Sequence, residues 1–218
     1  MKDIKFKFNY NDINLTIKDG SFISIVGNNN DLISEYFKNK RNVNLITYKD
    51  LYNFKYDNVN DEIKNYIKNT EKFINDHNIN SSINISEMTL CEKLKLKILI
   101  STLKSKIIVL DNLLNILDIN EYKLILKILK SFTLKGNIVI NITNISEETL
   151  FSDKIIIIYD NKLIDYDDVL TLLNKEKLMK KIGIGFPFII ELNKYLMDYD
   201  LIDKYYLSNK KLVGALWK

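Results

Sequence analysis

Residues 27–34, Gly-Asn-Asn-Asn-Asp-Leu-Ile-Ser, follow a short apolar run of Phe22, Ile23, Ile25 and Val26 and lead into a helix-like stretch. A strand, a glycine and a helix in that order form a setting in which proteins hold phosphate, because backbone N–H groups at the helix start point at the anion. A working loop reads G-x-x-x-x-G-K-[S/T]. Here Leu32 stands at the second glycine and Ile33 at the lysine, while Ser34 keeps a hydroxyl suited to a Mg²⁺ ion. Asp111, which ends "KIIVLD", offers a carboxylate to the same metal, or else caps the chain's exit from its strand. For residues 27–34 two readings stand: a strand-to-helix turn that needs only Gly27 for its backbone angle, or a remnant nucleotide site.

The other reactive side chains are few. Cys91 is the one cysteine, which rules out an internal disulfide framework, and His77 is the one histidine, which argues against a His-based metal site. With no histidine beside it, Cys91 reads as a small buried residue instead of a nucleophile. His77, in "NDHNIN", reads as a loop residue.

The elements that must position these residues follow from periodicity. "IKFKF" (4–8) and "INLTI" (13–17) alternate like half-buried antiparallel strands. "FISIVG" comes after the turn dipeptide Asp19-Gly20, and "VNLITY" (43–48) is a further strand candidate. "KIIVLD" (106–111), "NIVINIT" (137–143) and "DKIIIIYD" (153–160) are continuous apolar runs, the pattern of a parallel sheet covered on both faces. Residues 119–132 set Tyr122, Ile125, Ile128, Leu129 and Phe132 on one helical face. "EKLKLKILISTL" (92–103) alternates Lys and Leu like a strand, yet its length favours a helix.

The last fifty residues change character. "DDVLTLL" starts a helix behind aspartates, Pro187 opens "PFIIELNKYLMDY", and Ser208 caps "SNKKLVGALW". Trp217 and Leu212 are expected to pack that last helix against the appendage or a partner. The expected division is an α/β domain over 1–166 and a small helical appendage over 167–218.

Composition bounds the rest. Lysine is interleaved with Asp and Glu, and the net charge is only +4, so no basic stripe marks a nucleic-acid partner. Residues 1–20 lack a secretory apolar core, and no apolar run is long enough to span a bilayer. The abundance of Asn, Lys, Ile and Tyr has the look of AT-rich codon bias and carries no functional signal.

Taken in order, these pieces resemble an ABC-type ATPase, specifically the ATPase subunit of energy-coupling factor (ECF) vitamin and metal importers. "INLTIKDGSFISIVGNNN" is similar to the approach to Walker A, and "VNLITYKDLYNFKYDNVNDEI" to the Q-loop segment. "MTLCEKLKLKIL" falls at the signature and its helix, "KIIVLDNLLNILD" at Walker B, and "GNIVINITN" at the H-loop strand. "FSDKIIIIYDNKLIDYDDV" matches the closing strand pair, and the tail from "IGIGFPF" matches the C-terminal region of ECF ATPases.

The resemblance implies a P-loop NTPase fold, mostly parallel, with an N-terminal antiparallel part. It places a degenerate nucleotide loop on Gly27, Asn28, Asn29, Asn30, Asp31, Leu32, Ile33, Ser34 and Glu35. A signature-like segment falls on Met88, Thr89, Leu90, Cys91 and Glu92, and a weak Mg²⁺ pair on Ser34 and Asp111. It puts Asn112 at the general-base position, Asn144 at the H-loop histidine and Tyr48 at the Q-loop glutamine. Asn112 cannot accept a proton at neutral pH, and the family's histidine and glutamine are replaced at the other two positions. Tyr10 lies where the family stacks an aromatic on adenine, but the short loop after it argues for a surface tyrosine.

Three functions are compatible with this pattern. The favoured one is a non-catalytic subunit that dimerises with an intact ABC ATPase and docks on a transmembrane coupling subunit, at the cytoplasmic face of the membrane. The others are a still active transporter ATPase and a soluble interaction or structural protein derived from one. No cofactor is expected, and ATP and Mg²⁺ enter only if residual binding survives.

Overall fold

The computed structural model describes residues 5–28 and 30–217. Strands β1 (Lys5–Tyr10) and β2 (Ile13–Lys18) pair antiparallel, with Phe8 opposite Leu15, across a turn in which Asn11 takes φ 49°. Then come β3 (Phe22–Gly27), α1 (Asn30–Lys38), β4 (Val43–Ile46), and the short helices α2 (Val59–Lys64) and α3 (Thr70–Asp76). α4 (Leu90–Lys104), β5 (Ile107–Asp111), α5 (Ile119–Leu134), β6 (Ile138–Ile142) and α6 (Ser146–Thr149) follow. The chain continues through β7 (Lys154–Tyr159), β8 (Lys162–Asp168), α7 (Val169–Leu173), α8 (Glu176–Lys181), α9 (Phe188–Asp198) and α10 (Asn209–Leu216).

The main sheet has the order β4-β5-β6-β3-β7-β8, parallel except for β8, which turns back on β7. The turn between them is Asp160-Asn161, with φ 49° and 61°, values that Asn and Asp reach more readily than other side-chain-bearing residues. Chain order reverses around β3, which has β6 on one side and β7 on the other. The carboxyl end of β3, at Gly27, is therefore a topological switch point, the place where open α/β sheets bind ligands.

Each core covers part of the sheet. On one face, Ile23, Ile25, Val109, Ile140 and Ile158 meet α1 and the β1–β2 pair through Ile33, Phe37, Phe8 and Ile17. On the other, Ile108, Leu110 and Val139 meet α4 and α5 through Leu94, Ile98, Ile125 and Leu129. Val26, Ile155 and Ile157 continue that second face under the C-terminal helices, where Val169, Ile190 and Leu212 lie on them. Segment 169–216 thus shares its core with β3 and β7, while Trp217 is 86% exposed.

The alternating Lys pattern of residues 92–103 is helical after all. α4 is buried on two sides, by Leu94 and Ile98 against the sheet and by Leu96, Leu99 and Ile100 against α2 and α3. Its lysines run their stems along apolar surface and donate to loop carbonyls: Lys93 Nζ to Ser86 at 3.2 Å, Lys95 Nζ to Asn78 at 2.9 Å and Lys97 Nζ to Asn53 at 2.5 Å. His77 lies just past α3 as its C-cap, in the turn that follows, with its ring 4.7 Å from that of Phe73.

Between the two cores of the second face runs a polar seam. Ser24 and Ser152 share a hydrogen bond of 2.6 Å, and Asn141 Nδ2 donates to Glu148 Oε2 at 2.9 Å. Asn141 Oδ1 and Glu148 Oε1 are buried without partners, and burial raises the Glu148 pKa. The folded carboxyl holds its proton to higher pH than the unfolded one, so stability falls as pH rises from the ordinary value of 4.5 through the raised one. Glu148→Gln keeps the acceptor and adds a donor for Asn141 Oδ1. In a melting series from acid to neutral pH, the variant is expected to lose this pH dependence and to melt above the parent at neutral pH.

Candidate functional site

The site is the carboxyl end of β3, β5 and β6, where α1 begins. Gly27 is buried against β7, and a Cβ built on it would stand 1.8 Å from the Ile158 carbonyl oxygen. The glycine is required by close approach of two backbones, not by the backbone angle suggested by the sequence. Asn28 then clasps the β7–β8 turn: its Nδ2 donates to Asp160 Oδ1 at 2.8 Å, and its Oδ1 accepts from the Asp160 N–H at 3.0 Å. Asn29 lies outside the described residues.

α1 has begun by Asn30. A phosphate loop needs the residues after its first glycine to arc as open backbone with N–H groups turned inward. Here the first helical turn takes that stretch of chain, and each side chain has another task. Asn30 is buried and donates through Nδ2 to Asn144 Oδ1 at 2.7 Å, which joins the loop to the H-loop position directly. Leu32 is half exposed. Ile33, at the lysine position, is wholly buried in the core with Ile25, Ile142 and Ile158. Asp31 and Glu35 put carboxylates on α1, where phosphate would need cations.

Ser34 and Asp111 are brought together. Burial raises the Asp111 pKa, the nearby Asp31 charge adds to the rise, and the Ser34 hydroxyl and Asn112 amide oppose it. Contact between Ser34 and Asp111 falls short of full hydrogen-bond geometry, and Ser34 Oγ is left buried without a partner, as is Asn30 Oδ1. Two oxygens of that kind suit one side of a hard cation such as Mg²⁺. For the phosphates that would complete the metal's shell, the described residues of the loop offer no lysine, and its helix has begun by Asn30.

Asn112 takes φ 48° and donates its N–H to the Ile142 carbonyl at 3.0 Å. Asparagine tolerates that left-handed backbone better than glutamate would, so local conformation also disfavours a carboxylate here. Tyr10 is buried, in contrast to the surface position expected. Its hydroxyl donates to Asn161 Oδ1 at 2.8 Å, and its ring packs edge-on to Tyr36 at 5.8 Å. Its ring also stacks on Phe8 at 6.2 Å, which in turn stacks on Phe37 at 5.7 Å.

The signature-like residues sit at the start of α4. Thr89 is its N-cap, accepting from the Glu92 N–H, while Glu92 Oε2 accepts from the Thr89 N–H at 2.9 Å. This capping box occupies helix-start donors and places a carboxylate among them, which opposes an incoming phosphate. Met88 is buried with α2 and α3, and Leu90 packs against the core beneath α5. Cys91 is buried, and burial with the neighbouring Glu121 pushes its thiol up to about 12. Tyr48, at the Q-loop position, starts a short 3₁₀ turn (Tyr48–Tyr52) and is half exposed.

Known proteins with this architecture can be compared directly. Over 86% of the chain and 96% of its counterpart, the structure superposes on cbiO1 from Clostridium perfringens, part of the ABC transporter complex cbiONQ, with a TM-score of 0.63 at 17% identity. The fold is that of an ABC-type ATPase.

In sequence, the chain is 27% identical over 121 residues to the energy-coupling factor transporter ATP-binding protein EcfA1 of Lactobacillus delbrueckii subsp. bulgaricus. That stretch is 55% of this chain and 43% of the relative. The protein of the same name from Mycoplasma mobile is 28% identical over 120 residues, 55% and 42% of the two chains. The match thus spans under half the length of these curated relatives. No family model matches the chain. The ordered motifs and the ABC-type fold lead to one resemblance, with the ATP-binding proteins of ECF transporters.

Sequence reasoning missed the Asn28–Asp160 clasp, the Tyr10–Asn161 bond and the polar seam at Glu148. The first two join positions 132 and 151 residues apart, and the seam adds the Ser24–Ser152 bond across 128.

Two variants test this geometry. Gly27→Ala forces a methyl group into backbone and is expected to cost about 3 kcal/mol or more in urea denaturation, at or beyond the top of the overpacking range. Ile33→Lys restores the family residue but buries an ammonium in the core. It is expected to lose several kcal/mol of stability, on the order of the cost of an unpaired buried charge, with no gain of phosphate binding.

Proposed function

We propose that the chain is a non-catalytic ABC-type subunit of an ECF-like importer, acting through its surfaces. The observation that carries this reading is the Asn30–Asn144 hydrogen bond with Ile33 in the core. The chain's own side chains fill the place of the phosphates, and no acid–base group stands at Asn112 or Asn144. Resemblance to ECF transporter ATP-binding proteins supplies the transport context.

Its surfaces, by contrast, are well built. Glu62 Oε2 accepts from the Lys55 and Tyr56 N–H groups, each at 3.0 Å, and fixes the bend after the 3₁₀ turn. Beside that bend a groove of about 360 Å³ is lined by Tyr52, Phe54, Tyr56, Ile85 and Lys93. This groove is where a transmembrane coupling subunit would dock, with the chain peripheral on the cytoplasmic face. The helical segment 167–218 presents Phe188, Tyr195, Tyr199 and Trp217 to solvent, and these would meet an intact ATPase partner. In α9, Asn193 bonds the Tyr206 N–H at 2.8 Å and carbonyl at 3.0 Å, which fixes the connector to α10.

One observation favours a second reading. Ser34 Oγ is unpartnered beside Asp111, which leaves room for residual Mg²⁺-dependent ATP binding. Calorimetry separates the two. Mg-ATP is expected to give no heat of binding to the isolated chain, and a low-micromolar dissociation constant would sink the non-catalytic reading. With an intact ECF ATPase the chain is expected to form a heterodimer that turns over far more slowly than the partner's homodimer. Tyr199→Ala with Trp217→Ala, both exposed, should weaken association without lowering the melting temperature.

A further inference from the structure

A cleft lies at the opposite end of the sheet from Gly27, and the ATPase resemblance gives it no task. It encloses about 680 Å³ between the start of β1, the loop before β4 and the α4–β5 connection. Four cations line it: Lys5, Arg41, Lys104 and Lys106, with Phe6 and Leu103 as apolar wall. Among the described residues, no Asp or Glu lines it. Elsewhere lysines are interleaved with acids, and four of them make ion pairs. Among the described residues, none of these four cations has a carboxylate partner, and Lys104 has only the Tyr66 ring, 5.2 Å away.

Two features make the cleft more than a patch of surface lysine. Arg41 is the only arginine in a chain whose every other fixed side-chain cation is lysine. A guanidinium offers a planar fork of donors that matches phosphate oxygens, which an ammonium does not. The second is a like-charge pair. β1 and β2 set Lys5 directly opposite Lys18, a cross-strand arrangement that is unfavourable without a counter-charge. The cleft floor is also held: Ser105 Oγ bonds the Asn42 and Ile107 carbonyls, and Asn137 Nδ2 bonds the Phe132 carbonyl at 3.1 Å.

We propose that this cleft binds a phosphate-bearing organic molecule. The phosphate lies on the Arg41 fork between the three lysines, and the adjoining apolar part lies along Phe6 and Leu103. The same chemistry is offered by a soluble organic phosphate and by the headgroup region of an anionic phospholipid.

The test uses the full chain at fixed ionic strength. Phenyl phosphate and inorganic phosphate are titrated by calorimetry, and flotation compares phosphatidylglycerol with phosphatidylcholine vesicles. Phenyl phosphate is expected to bind more tightly than inorganic phosphate. Arg41→Lys, which keeps the charge and loses the fork, should weaken binding about tenfold, the worth of one charge-assisted hydrogen bond. Lys127→Gln, an exposed change on α5, should leave it unaltered. If only the phosphatidylglycerol arm responds to Arg41→Lys, the ligand is a lipid headgroup; if only the phenyl phosphate arm responds, it is a soluble phosphate. Equal binding by parent and Arg41→Lys in both arms would reduce the cleft to diffuse charge and overturn the proposal. So would displacement of ligand by sulfate as effectively as by phosphate, or no binding in either arm.

Discussion

The contact of Gly27 with the Ile158 carbonyl governs this molecule. β3 is buried on both faces at the centre of the sheet, and its last residue meets β7 with no room for a side chain. Once those backbones touch, Asn28 is beside the β7–β8 turn and can bond Asp160 from both ends of its amide. The clasp holds the chain close to the sheet, α1 starts at Asn30, and Ile33 turns into the core. A phosphate loop needs that same stretch as open arc, and this is the physical ground of the non-catalytic proposal.

Every group freed from phosphate binding has a different physical fate. Ile33 is stabilised by burial, of order 1.5–3 kcal/mol for a side chain of that size. The amides at the start of α4 are served by Thr89 and Glu92, a local solution that needs no ligand. The Tyr10 hydroxyl is met by Asn161. Ser34 Oγ and Asn30 Oδ1 at this end of the sheet stay buried and unpaired. Such orphans are costly, and each calls for an explanation.

The sequence makes the scaffold legible and the site only partly so. Strands β3, β5, β6 and β7 announce themselves because burial on both faces leaves continuous Ile and Val runs. Helix caps at Thr89, Asp118, Asp168 and Ser208 are local signals, each a side chain bonding an N–H two or three residues on. Motif order carries the ABC-type fold even where the motif letters have changed. What stayed hidden depends on pairs distant in sequence. A short loop after Tyr10 says nothing of Asn161, 151 residues away, which meets the tyrosine hydroxyl. A glycine at position 27 says nothing of which backbone it must approach.

The charge distribution along the strand axis follows the same logic. At the carboxyl ends of β3, β5 and β7 stand Asp31, Asp111 and Asp160, and Asp31 is near enough to raise the Asp111 pKa. Phosphate binding would require the reverse sign, because a triphosphate brings several negative charges into a half-buried space. At the amino ends of β4 and β5, Arg41, Lys104 and Lys106 stand without acids. In an ordinary ABC-type site the helix start and the loop lysine make the carboxyl end the positive one. Here isoleucine stands at the lysine position and Asp31 lies near Asp111, while Arg41, Lys104 and Lys106 line the cleft at the far end.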